Sequence, residues 1–199
     1  FVIFSDTQIS QTRIIILDKF LTESIINYIF VTFCILILMN GSNFIDGLNT
    51  LSLGYYLLIS IVLYYLISYQ NINLKYISIE YLICLLASGF ILNIKNKIYL
   101  GDSGAYLLAF FVSIILIDLS TNLKSSTPYY IANLLWYPVY ENLFSIIRKI
   151  KNKKSALKPD NFHLHQLIYL KIKNKLNHNA KIINTFSGIV INIFNLGVI

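Results

Sequence analysis

The chain is short of charge. Of its 199 residues only 13% are Asp, Glu, Lys or Arg, against 56% hydrophobic, and its mean hydropathy is +0.66. A soluble domain carries about a quarter charged residues, so this chain lacks the polar surface it would need in water. Cysteine appears only as Cys34 and Cys84, both inside apolar runs, where small apolar fillers explain them better than a disulfide or a metal pair. Three histidines with no Cys pair beside them exclude a closed structural zinc site. There is no internal repeat and no signal-peptide pattern, because the first long apolar segment lies well inside the chain without a basic lead-in. The single methionine is Met39; the chain begins with Phe1 and ends at Ile199 in an apolar run, which reads as a fragment of a larger protein.

What is present in excess is apolar length. Crossing about 30 Å of hydrocarbon takes roughly 17 to 25 helical residues. Segments 25–42, 51–69, 78–94, 104–120 and 128–147 qualify, and a sixth begins near 181. The expected fold is all-α, a polytopic transmembrane helical bundle with about five complete spans. Residues 25–199 form its core, and 148–180 form a loop. Residues 1–24 precede the first span, and their short apolar runs suggest a small hairpin.

The few cations are unevenly placed. If the spans alternate, Lys95, Lys97, Arg148, Lys149, Lys151, Lys153, Lys154, Lys158, Lys171, Lys173, Lys175 and Lys181 share one side, leaving Arg13, Lys19, Lys75 and Lys124 on the other. The positive-inside rule puts the larger group in the cytoplasm and 1–24 outside. A basic stretch in so apolar a chain reads as a juxtamembrane loop on a lipid bilayer, not as a nucleic-acid patch. Asn40-Gly41-Ser42 matches a glycosylation acceptor, but a cytoplasmic turn never meets that machinery.

Polar groups near a bilayer are costly and mark function. Three clusters fall on the cytoplasmic side. In "NGSNFIDGLN", Asn40, Asn43, Asp46 and Asn49 recur every three residues, which stacks them on one helix end. An ordinary C-cap explains such asparagines too, and so does a polar ligand. In "YLGDSGAY", glycines flank Asp102-Ser103 at a helix start. That is either a plain N-cap or a place where backbone N–H groups and a carboxylate meet Mg²⁺ and phosphate. The third cluster runs from "WYPVYENLFSIIRK", with Glu141 and Arg148, to "KPDNFHLHQLIYL", with His163 and His165. Imidazoles among lysines suit a phosphate. Carboxamides, carboxylates, histidines and cations on one membrane face together suit phosphoryl transfer, which needs positioning and positive charge more than a nucleophilic side chain.

"NGSNFIDGLN", "YLGDSG" and "HLHQ", in this order and at these separations, resemble the polyprenyl-phosphate N-acetylhexosamine-1-phosphate transferases, the WecA-like and MraY-like enzymes. The resemblance implies transfer of a sugar 1-phosphate from a UDP-N-acetylhexosamine to undecaprenyl phosphate, with release of UMP. It implies Mg²⁺ as cofactor, with Mn²⁺ as the alternative ion. It also implies a multi-pass protein of the bacterial cytoplasmic membrane whose site faces the cytoplasm, with room for a homodimer. Carried over by motif, Asp102 is the metal ligand, and Asp102, Asp46, His163 and His165 are the catalytic candidates. Asn43, Gly47, Leu48, Asn49, Tyr99, Glu141 and Arg148 are the substrate-binding candidates. Two letters depart from the family pattern: Asn49 stands where many members have Asp, and Gln166 where many have a third His. The family's adjacent aspartate pair belongs upstream of Phe1, so this piece alone is expected to be inactive. The competing reading is a transporter or inactive scaffold, which would hold its polar groups near the bilayer midplane.

Overall fold

In a computed structural model, the residues described are 1–72, 78–122, 127–151, 163–176 and 178–199. Most of the basic loop, with Lys153, Lys154 and Lys158, lies outside them, as do Lys75 and Lys124. All regular structure among the described residues is helical. In chain order the helices are α1 Ile15–Leu21, α2 Ser24–Ile45, α3 Leu51–Gln70, α4 Ile79–Ile94, α5 Gly101–Asn122, α6 Pro128–Leu134, α7 Trp136–Lys151, α8 Leu164–Lys175 and α9 Ala180–Leu196.

α2, α3 and α5 are long and apolar enough to cross a membrane. In α2, Ile25, Ile29, Phe33 and Leu36 form an exposed stripe at helical spacing, whereas Val31, Ile35, Leu38 and Ile45 are buried. A helix that is apolar all round has this use for both faces: one packs on protein, the other meets lipid. α2 packs against α5 and α7, α3 against α4 and α9, and α8 against α9. The main core runs through Leu51, Tyr55, Tyr56, Ile59, Leu63, Leu86, Ile115, Leu119 and Tyr137. The chain is a polytopic helical membrane protein.

Two expectations about the elements change. The N-terminal hairpin is absent: residues 2–6 are turns and 15–21 form α1. Here the Asp18 carboxylate accepts from the Thr12 N–H at 2.7 Å and from its hydroxyl at 2.6 Å, which folds the isoleucine run back into a helical turn. The segment is then pinned by buried Asn27, whose amide donates to the Ile9 and Leu21 carbonyls at 2.9 Å each and accepts the Ile9 N–H at 3.0 Å.

The span expected over 128–147 is two helices, broken at Leu135. Pro138 has no N–H to give the carbonyl of Leu134, four residues before it. The hydroxyl of buried Tyr55 donates to that carbonyl instead, at 2.7 Å. In length, α4 at 16 residues falls just under the roughly 17 to 25 of a full span, and α9 at 17 just reaches it. α7 is amphipathic, with Arg148, Lys149 and Lys151 in its last turn.

Candidate active site

Asp46 sits one residue beyond α2, half-buried, and its carboxylate accepts the backbone N–H of Gly101 at the start of α5. Gly101 has φ +68°, the left-handed conformation that turns this N–H outward from the helix entry. Asp102 follows at once, exposed, so two carboxylates from distant helix ends share one spot. Burial pushes the Asp46 carboxyl up to about 7; the Gly101 hydrogen bond opposes the shift and the Asp102 charge adds to it. A helical turn back along α2, the Asn43 amide donates to the Tyr106 hydroxyl of α5 at 3.2 Å.

The opposite wall is the start of α8. His163 and His165 are both buried, with their rings 5.6 Å apart and only 14° from parallel. Both reach Glu141 of α7: Nδ1 of His163 lies 3.2 Å from Oε2, and Nδ1 of His165 lies 3.3 Å from Oε1. The backbone N–H groups of Leu164 and His165 donate to the same carboxylate at 3.3 Å each, and the Tyr137 hydroxyl donates at 3.4 Å. The two walls meet at Gly47. A Cβ there would lie 2.3 Å from Nε2 of His165, so only glycine lets the imidazole come this close to the turn. The Phe44 ring stands 5.0 Å from that of His163.

The expected residues therefore divide. Asn43, Asp46, Gly47, Asp102, His163 and His165 are brought together at the ends of α2, α5 and α8. Glu141 belongs to the cluster but is 0% exposed, beneath the histidines instead of in the open cleft where a substrate contact was expected. Leu48 is buried in the main core. Tyr99 is exposed on the approach to α5. Arg148 lies about 10 Å further along α7 than Glu141, counting 1.5 Å per residue, with its guanidinium 5.0 Å over the ring of Phe144.

Asn49 is engaged in structure. Its backbone N–H donates to Asn184 at 2.7 Å and its amide donates to Asn96. Thr50, at φ 71°, donates its N–H to Asn93 and its hydroxyl to the Thr185 carbonyl at 3.1 Å. The Asn192 amide then donates to the Thr50 and Leu51 carbonyls at 2.8 and 3.3 Å. Gln166, the other departure, caps α8: its Oε1 accepts the His163 N–H at 3.2 Å, the side-chain half of a capping box.

Sequence reasoning missed Tyr106, Phe44 and Tyr137 as site neighbours, because they look like the rest of an aromatic-rich chain; Gly101 carried a signal, as the glycine before Asp102.

No cation is paired with Asp46 or Asp102 among the described residues, and no group of three His, Cys, Asp or Glu side chains could alone hold a metal there. Two uncompensated carboxylates are hard oxygen donors of the kind Mg²⁺ takes when water and phosphate supply its other ligands. The donor set fits that ion, provided a phosphate ligand completes it.

The model of glycosyl transferase family 4 matches residues 1–120. The chain is 30% identical over 130 residues to the "Probable undecaprenyl-phosphate N-acetylglucosaminyl 1-phosphate transferase" of Bacillus subtilis, covering 63% of this chain and 36% of that protein. It is 33% identical over 76 residues to the "Undecaprenyl-phosphate alpha-N-acetylglucosaminyl 1-phosphate transferase" of Thermotoga maritima, covering 38% of this chain and 25% of that one. The alignments thus span about a third and a quarter of these relatives' lengths. No solved structure matches the chain.

Proposed function

The chain belongs to glycosyl transferase family 4, and we propose that it supplies part of the active site of an enzyme that moves an N-acetylhexosamine 1-phosphate, with N-acetylglucosamine favoured, from a UDP-sugar to undecaprenyl phosphate. An oxygen of the lipid phosphate attacks the sugar-bearing phosphorus; that P–O bond forms, the P–O bond to the bridging oxygen breaks, and UMP leaves. The product is the first membrane-bound intermediate of a cell-envelope glycan. The site faces the cytoplasm of a bacterial cell, where a soluble nucleotide meets a membrane lipid.

The observation that carries this reading is the convergence of Asp46 and Asp102 from two apolar spans onto one helix-end cleft walled by His163 and His165. Asp102 and Asp46 would hold Mg²⁺, which supplies positive charge to diphosphate oxygens. Gly101 keeps Asp46 aimed into the cleft through its N–H. Asn43, held by Tyr106, offers its remaining amide positions to the nucleotide. The histidines face the same space from α8. The polar groups gather at helix ends, which favours chemistry at an interface over a midplane transport path.

The test is the full-length protein in membranes, given labelled UDP-N-acetylglucosamine, undecaprenyl phosphate and Mg²⁺. Formation of lipid-linked sugar is expected from the native protein and not from Asp102→Asn. Undiminished product from the variant would remove Asp102 from the reaction.

A further inference from the structure

Glu141 is the only fully buried carboxylate among the described residues, and it has no face left for a substrate. Five donors close on its two oxygens, at 3.2 to 3.4 Å. An ionised carboxylate is acceptor-only, so an imidazole nitrogen that pairs with it must carry the proton. Both partners here are Nδ1 atoms. Because the two rings are nearly parallel and both Nδ1 atoms converge on one carboxylate, both Nε2 atoms leave on the far side. That of His165 is buried against Gly47 and has no hydrogen-bond partner.

We infer that Glu141 is a positioning residue that holds His163 and His165 as Nδ1–H tautomers and so presents their two Nε2 atoms, side by side, to the Asp46–Gly47 turn as a fork for the diphosphate sugar. In the Nδ1–H tautomer Nε2 is an acceptor, suited to a sugar hydroxyl of the diphosphate sugar. The same carboxylate takes the backbone N–H groups of Leu164 and His165, so one side chain sets both the ring orientation and the entry angle of α8. Phe44 flanks the His163 ring and the Gln166 side chain accepts the His163 backbone N–H, leaving the fork little freedom to turn. Outer-shell carboxylates that orient a histidine in this way are typically worth about 10- to 100-fold in activity. The inference rests on reading this cleft as the diphosphate end of the UDP-sugar site.

The experiment uses the full-length protein in nanodiscs with ¹⁵N-labelled histidine, the signals of the two rings being assigned by their loss in His163→Gln and His165→Gln. In the native protein both rings should be protonated at Nδ1. In Glu141→Gln the amide NH₂ needs an acceptor, so at least one ring should switch to the Nε2–H form. kcat/KM for the UDP-sugar should then fall about 10- to 100-fold, with KM for undecaprenyl phosphate unchanged. Glu141→Asp, which keeps the charge but shortens the reach, should preserve the tautomer of one ring and recover part of the loss. A bare Nδ1 on either native ring would overturn the assignment whether or not any variant folds. So would a tautomer switch in Glu141→Gln with kcat/KM intact. A native protein that is inactive yet shows both Nδ1–H signals would sink the transferase reading and leave the tautomer assignment standing.

Discussion

The five residues between α2 and α3 have two halves of opposite character. On one side, Asn49 and Thr50 are enclosed by neutral partners: Asn93, Asn96, Asn184, Thr185 and Asn192 bind both their backbone and their side chains. On the other side, Asp46 is pressed toward Asp102 with no cation paired to either among the described residues, and Gly47 leaves a bare imidazole nitrogen at its back. A polar group near a bilayer is costly unless satisfied, so the first half reads as framework and the second as a site that a ligand completes. Both halves are made of short, turn-forming residues. Only the partners tell them apart.

The largest effect should come from the unsatisfied half. Asp102→Asn is expected to reduce product formation about a thousandfold, the loss of several kcal/mol of charge stabilisation in the transition state. The folded population, followed by size exclusion in detergent, should not change. A variant that is equally inactive but unfolded would assign Asp102 to the framework.

Next comes the satisfied half. At Gly188 a Cβ would lie 2.1 Å from the Asn49 carbonyl, a backbone atom that cannot step aside. Gly188→Ala should therefore cost about 1 to 3 kcal/mol of stability, read as a lower thermal midpoint, with kcat per folded molecule retained. Full stability would show that α9 does not clamp this turn.

A third comparison uses pH. The folded-state pKa of Asp46 is raised, from 3.8 to about 7, so the fold favours its protonated form. The stability this contributes is present below about pH 4 and is lost as pH rises through about 7. Metal-free protein should accordingly lose thermal stability over that window, Asp46→Asn should lose less, and added Mg²⁺ should restore the difference at pH 7. Parallel melting curves for native protein and variant across the window would contradict the burial of this charge.

The smallest effect is expected at Asn49→Ala, which removes the hydrogen bond to Asn96. The cost should be about 0.5 to 1.5 kcal/mol, and KM for the UDP-sugar should move less than about twofold. A tenfold rise in KM would return Asn49 to the substrate contacts that its motif suggests.

Much of the architecture was legible because it rests on sums. Apolar length marks a helix that crosses a membrane whatever its neighbours do, and α2, α3 and α5 match the expected segments closely. The same summing hid the break at Leu135, since hydropathy runs through it unchanged; Pro138 was visible, but its consequence depends on Tyr55 supplying a hydrogen bond from another helix. The residues that converge were legible where chemistry-bearing letters cluster in the chain, at Asp46, Asp102, His163 and His165. It was not legible at Glu141, whose expected substrate contact turned into a buried anchor, because burial is decided by α8 folding over it. Nor was it legible at Asn49: nothing local says that Asn184 and Asn192 will arrive to take up that turn. Gln166 looked like a lost histidine and is a helix cap instead.

The clamp on Thr50 also sets an order of events. Its partners in α9 lie 135 and 142 residues further along the chain. A ribosome that releases the chain from its N-terminus delivers Asp46 and Asp102 to the membrane well before Thr185 and Asn192 exist. Until they do, nothing from α9 holds Thr50 in its left-handed conformation, and the turn that aims Asp46 lacks that support. The two carboxylates are therefore made early, and the cleft becomes rigid only when the last helix docks, a long-range closure of the kind that sets the pace of folding.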